Sequence, residues 1–106
     1  MISADWTQDE LTIARTAFET GKRRSIEALI KTLQESVGAL ESPESIWSLH
    51  DYLSTERYQY EGRADFETSN ILFTLADMLK QKLISPEDLT GLDQKKLSKV
   101  KAMSIF

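Results

Sequence analysis

Apolar residues recur at Leu11, Ala14 and Phe18, and again at Ile26, Ile30, Leu33, Val37 and Leu40. The second set steps by 4, 3, 4, 3, the spacing of a helix seam. Thr7-Gln-Asp-Glu10 opens the run as a capping box, in which the Thr side chain accepts the N–H three residues on and the Glu reaches back to the Thr N–H. Gly21 separates the two sets, but one glycine costs a helix interior only about 1 kcal/mol. The pattern therefore predicts a first helix over residues 7–39, with a kink or break near Lys22-Arg23-Arg24 left open. Unbroken, it would be roughly 50 Å long at about 1.5 Å per residue, against a radius of gyration of about 13 Å for a compact chain of this size. Such a seam outruns the cover that the rest of the chain offers. A second copy of the chain is the cheapest source of cover, and the expectation is a homodimer held by the long helices.

Further helix signals follow. Ser42-Pro43-Glu44 is a cap with proline in the first turn, and Gly62 a plausible stop. Asp65 suits the start of a third helix reaching Leu83, with Leu72, Leu75, Ala76, Leu79 and Leu83 on one face. Ser85-Pro86-Glu87-Asp88 repeats the start signal for a short helix, and Asp93 opens a last one that sets Leu97, Val100 and Ser104 on one side. No segment alternates with period two for long. The expected fold is all-α: one domain over residues 1–106, with a long helix and an antiparallel second one forming a stalk (7–62) and a small helical head (63–106).

Composition narrows the chemistry. The 106 residues include no cysteine and one histidine, which removes disulfides and thiol catalysis and leaves almost no route to a protein-bound zinc. No apolar run exceeds three residues, so neither a membrane span nor a signal-peptide core is expected, and the chain reads as cytoplasmic. The net charge of -4 argues against nucleic acid as the main partner. That excess lies wholly in residues 41–62, which carry 5 acids and 1 base.

On a wheel of the second helix, Ile46, Leu49, Leu53 and Tyr60 form a core stripe. Beside it Arg57, His50, Ser54, Trp47, Tyr58 and Asp51 form a second stripe, spread over about 120°. Trp and Arg are the residues most enriched in binding hot spots; the plainer alternative makes Trp47 core, rimmed by His50 and Arg57. An enzymatic reading fails. His50 and Asp51 are neighbours pointing about 100° apart, so the carboxylate is not expected to orient the imidazole, and neither a nucleophile elbow nor a Gly-rich phosphate loop occurs. Asp51 and Arg57 are too far around one helix to pair and could meet only across a two-fold interface. Phe73 lies off the Leu72/Leu75/Leu79 face, either packed on another helix or exposed as an anchor. Lys95, Lys96, Lys99 and Lys101 set positive charge on the last helix, a solvated face or an aid to association with an acidic partner.

The run Trp47-Ser-Leu-His50-Asp51-Tyr52-Leu53-Ser-Thr-Glu-Arg57 resembles the central segment of the cyanobacterial fluorescence recovery protein family, whose pattern is a Trp, then His-Asp-Tyr-Leu, then Arg. The resemblance continues through Gly62, Phe73, Leu79, Leu83 and Glu-Asp-Leu-Thr to the Lys-rich end, roughly residues 43–103. It implies an all-α homodimer without enzymatic activity or cofactor. The implied partner is the orange carotenoid protein in its light-activated red form, bound chiefly through its C-terminal domain, with faster return to the orange form and detachment from the phycobilisome. Localisation would then be cytoplasmic, peripheral at the cytoplasmic face of the thylakoid. By position, the resemblance puts Trp47, His50, Asp51, Tyr52 and Arg57 in a patch at or beside the dimer interface, and Phe73 and Lys99 at head positions that contact the carotenoid protein. Tyr58, Tyr60 and Phe66 depart from the family pattern and bear on partner selectivity. The rival reading is a dimeric helical adaptor of the same fold with a different protein partner.

Overall fold

The structure, a computed structural model, describes residues 6–106. Helix α1 runs from Gln8 to Gly38, α2 from Pro43 to Gly62, α3 from Ile71 to Lys80 and α4 from Gln94 to Met103, with short 3-10 turns at Thr68–Asn70 and Pro86–Leu89. There is no strand among the described residues. The fold is all-α, and α1 passes Gly21 without a break.

The starts follow the local signals. Thr7 Oγ1 accepts the Glu10 N–H at 3.1 Å while Glu10 Oε1 accepts the Thr7 N–H at 3.1 Å. Ser42 and Ser45 make the same reciprocal pair ahead of α2, with proline in the first turn. Ser85 and Asp88 make it again ahead of Pro86–Leu89.

The chain divides into two compact units: α1 up to Arg24 together with residues 66–106, and residues 25–65. The first unit, the packed unit, holds the core: Ala14, Ala17, Phe18, Ile71, Leu75, Ala76, Met78, Ile84, Leu89, Leu92 and Val100. Gly21 belongs to it for a steric reason. A Cβ there would stand 2.7 Å from Met78 Sδ and 3.2 Å from Ile84 Cγ2, so the glycine gives up helix propensity to admit the side chains it packs against. Gly91, at φ 105°, closes against Ile13, whose Cδ1 would be 2.6 Å from an added Cβ. Arg24 donates from Nη1 to the Leu83 carbonyl at 3.1 Å and to Asp88 Oδ2 at 2.9 Å, tying α1 to the turn after α3. The Ser85 N–H, followed by Arg24, holds the Asp88 carboxyl below its ordinary range.

The third helix departs from expectation at both ends. It begins at Ile71 rather than Asp65, because Phe66 leaves the helical path to pack on Phe18, ring centroids 5.4 Å apart. The Arg15 guanidinium also lies over that ring, 4.7 Å from its centroid, which gives Phe66 a packing role. It ends at Lys80, before Leu83, because Lys82 turns into the left-handed region at φ 61°. The Leu83 N–H then reaches the Met78 carbonyl at 2.9 Å and the Lys82 N–H the Leu79 carbonyl at 3.1 Å, a Schellman closure made with lysine where glycine is usual. The buried face is also rotated: Ile71, Leu75, Ala76 and Met78 are buried, while Leu72, Leu79 and Leu83 are half-buried.

The second unit, the arm, is different in kind. No residue from 25 to 65 is buried. The expected core stripe of α2 is only partly covered, with Leu49 and Leu53 half-buried and Ile46 and Tyr60 exposed. A shallow groove in this unit is lined by Thr32, Ser36, Leu40, Ser48, Leu49 and Tyr52 among others.

Candidate functional site

The residues singled out from the sequence fall into two groups, one in each unit. On α2, Trp47 is 64% exposed, and its ring meets the His50 ring edge-on with centroids 6.4 Å apart. His50 Nδ1 stands 3.2 Å from Asp51 Oδ1. This corrects the expectation from the wheel: neighbouring side chains whose Cβ atoms diverge still meet, because both lie in solvent and swing freely toward each other. Tyr52 donates to Glu56 Oε1 at 3.1 Å. Burial, followed by that hydrogen bond and the Glu56 charge, raises the phenol above its ordinary 10.0, with Thr32 acting in the opposite direction. Arg57 pairs with Glu61 one turn on, Nε to Oε1 at 2.9 Å, and not with Asp51. Trp47, His50, Asp51 and Arg57 are thus displayed, while Tyr52 leans into the arm's groove.

In the packed unit, Phe73 and Lys99 line one open cleft together with Trp6, Lys95, Lys96 and Met103. Phe73 is 70% exposed, so of its two readings the structure takes the second, an uncovered aromatic on α3. Lys99 is one turn beyond Lys95 on α4 and exposed. The cleft has an ordered wall. Glu10, only 6% exposed, receives the Lys96 ammonium at 2.8 Å and the Asp93 N–H at 2.9 Å, as well as the Thr7 N–H. These donors, led by the Lys96 hydrogen bond, hold its carboxyl at about 2 against an ordinary 4.5. The same ammonium lies 4.9 Å from the Trp6 ring.

Trp6 and the second role of Glu10 lie outside the expectations drawn from the sequence. Trp6 precedes the Thr7 cap and so occupies the position from which an apolar residue staples a helix start, a signal that was available. The approach of Lys96 to Glu10, from far along the chain, has no local signal. Among the described residues, no group of three or more His, Asp or Glu side chains could hold a metal ion, and no helix is long and apolar enough to cross a membrane.

Residues 6–104 match the family described as "Photoprotection regulator fluorescence recovery protein". The chain belongs to the fluorescence recovery protein family. It is 35% identical over 101 residues to the fluorescence recovery protein of Synechocystis sp., covering 95% of this chain and 93% of that one. Solved structures agree. The fluorescence recovery protein of Fremyella diplosiphon superimposes with a TM-score of 0.86 at 34% identity, and that of Synechocystis sp. with 0.84 at 34%, each covering 95% of this chain and 99% of the other. Membership of the fluorescence recovery protein family thus extends well beyond residues 43–103, into α1, and takes in both groups of candidate residues. Members are described as regulators of photoprotection.

Proposed function

We propose that this chain acts as a homodimeric, non-enzymatic regulator that binds the light-activated red form of the orange carotenoid protein, chiefly at its C-terminal domain. It speeds the return to the orange form and promotes detachment from the phycobilisome. Family membership supports the reading, and the observation that carries the dimer is the arm: residues 25–65 bury nothing within one chain, although they contain Ile30, Val37, Leu40, Ile46 and Trp47, all exposed. In a dimer those side chains would be covered by their copies, with Trp47, His50, Asp51, Tyr52 and Arg57 at or beside the interface. Phe73 and Lys99 would contact the carotenoid protein, the aromatic supplying apolar area and the ammonium a directional charge. The chain would work as one all-α domain without a cofactor of its own, in the cytoplasm and at the cytoplasmic face of the thylakoid.

Acceleration of the partner's reversion requires tighter binding to the transition geometry than to the open form, since equal affinity changes no rate. The test is the dark reversion of photoconverted orange carotenoid protein, followed by absorbance with and without this chain. Severalfold faster recovery at substoichiometric dimer supports the proposal, and Phe73→Ala should remove most of it while leaving sedimentation unchanged. Binding without acceleration would make the chain a light-state-blind adaptor. A monomer at micromolar concentration in equilibrium sedimentation would remove the dimer.

A further inference from the structure

Glu10 does more than cap its own helix. It is the third residue of α1 and returns to the Thr7 N–H, as the acid of a capping box does. In α4 the corresponding place is taken by Lys96, which has no acceptor to offer, and Asp93 makes no side-chain cap. Glu10 supplies the missing acceptor from another helix: its Oε2 takes the Asp93 N–H at 2.9 Å while its Oε1 takes Lys96 Nζ at 2.8 Å. One buried carboxylate therefore completes the starts of two helices, and its charge sits where the α4 dipole favours an anion. Both partners are well covered, at 8% and 13% side-chain exposure.

Lys96 precedes Lys99 by three residues on the same helix, and both line the cleft that Phe73 borders. We infer that Glu10 is a positioning residue for this cleft, setting the first turn of α4 and through it the place of Lys99 in the cleft that Phe73 also lines. The inference rests on the proposed role of Phe73 and Lys99 toward the carotenoid protein. Glu10 is only 6% exposed, so the expected action is through Lys96 and the first turn of α4 rather than by its own contact with a partner.

The experiment is a double-mutant cycle on the full-length protein. The concentration giving half-maximal acceleration of carotenoid-protein reversion is measured for wild type, Glu10→Gln, Lys99→Ala, the double variant and Phe73→Ala. Circular dichroism and sedimentation confirm that each is folded and of unchanged assembly. Glu10→Gln keeps the shape but weakens the hold on Lys96. It should raise the half-maximal concentration about five-fold, and the effect should vanish in the Lys99→Ala background. Lys96→Met should reproduce it, and the Asp93 amide in Glu10→Gln should exchange with deuterium at least about ten-fold faster than in wild type. An effect of Glu10→Gln that adds to that of Lys99→Ala, or no effect while Phe73→Ala and Lys99→Ala both weaken action, overturns the positioning role alone. If Phe73→Ala and Lys99→Ala are themselves silent, the proposed contact fails and the inference with it.

Discussion

The packed unit and the arm are built from similar residues and differ in what covers them. Around Phe18, four segments of chain converge, and every side chain of the core is closed off by its neighbours. Between residues 25 and 65 the apolar positions are as regularly spaced, yet none is buried. A periodic seam specifies a helix and a face, but only a facing surface turns that face into a core. The packed unit carries its own facing surface, from α3, α4 and the turn between them. The arm's facing surface is proposed to come from a second copy.

That contrast can be tested by truncation. Phe18→Ala should cost about 4 kcal/mol, because a fully enclosed aromatic leaves a cavity that rigid neighbours do not refill. Thermal denaturation should show this at any protein concentration. Val37→Ala, made on the exposed seam, should change stability by less than about 0.5 kcal/mol under dilute conditions. Its effect should appear in how steeply the melting temperature rises with concentration.

Next in size is Glu10→Ala, expected to cost about 3 kcal/mol at neutral pH, since it removes a buried acceptor shared by the Lys96 ammonium and two backbone donors. The pH dependence has a definite sign. The folded protein holds this carboxyl at about 2 against 4.5 ordinarily, so below neutrality the unfolded chain takes up the proton first. The stabilisation is whole above pH 4.5 and disappears as the pH falls toward 2. Denaturant titrations of wild type and Glu10→Gln should therefore converge across that window. Divergence there would remove Glu10 from the account.

The glycines repeat the regional contrast at single sites. Gly21→Val should destabilise by about 2 kcal/mol, because its side chain must displace Met78 and Ile84. Gly38→Ala, with nothing within 4 Å of the added Cβ, should stabilise α1 by about 0.5 kcal/mol. An effect of the same size is expected at Lys82, held at φ 61°. Lys82→Gly should gain about 0.5 kcal/mol by removing the strain of a side chain in the left-handed region. Equilibrium denaturation resolves all three.

What could be read in the sequence was local. The Thr7/Glu10 and Ser85/Asp88 boxes and the proline-led start of α2 involve partners three residues apart, so spacing alone identifies them. The start of α3 was misplaced because the competing interaction, Phe66 on Phe18, joins positions distant in sequence. Its face was misplaced because Met78 packs under Gly21, a choice made by α1. Among the candidate residues, the wheel sets Phe73 off the core face of α3 but leaves both packing on another helix and exposure open, and only the structure decides for exposure. The His50–Asp51 contact was not readable either, since a wheel records where side chains leave the helix and not where their ends go. The shared cap at Glu10 joins residues separated by 83 positions and has no periodic signature.

The two tryptophans of the chain fall one to each region: Trp6 half-buried beneath the Lys96 ammonium, Trp47 out in solvent on α2. The protein therefore carries a built-in optical probe for each region. In a Trp47→Phe variant the remaining indole emission would follow the cleft and its wall, shielded from dissolved quenchers. In Trp6→Phe it would follow the arm, freely quenched until something covers that face. Emission alone, with no attached dye, would then tell an event at the cleft from an event at the arm.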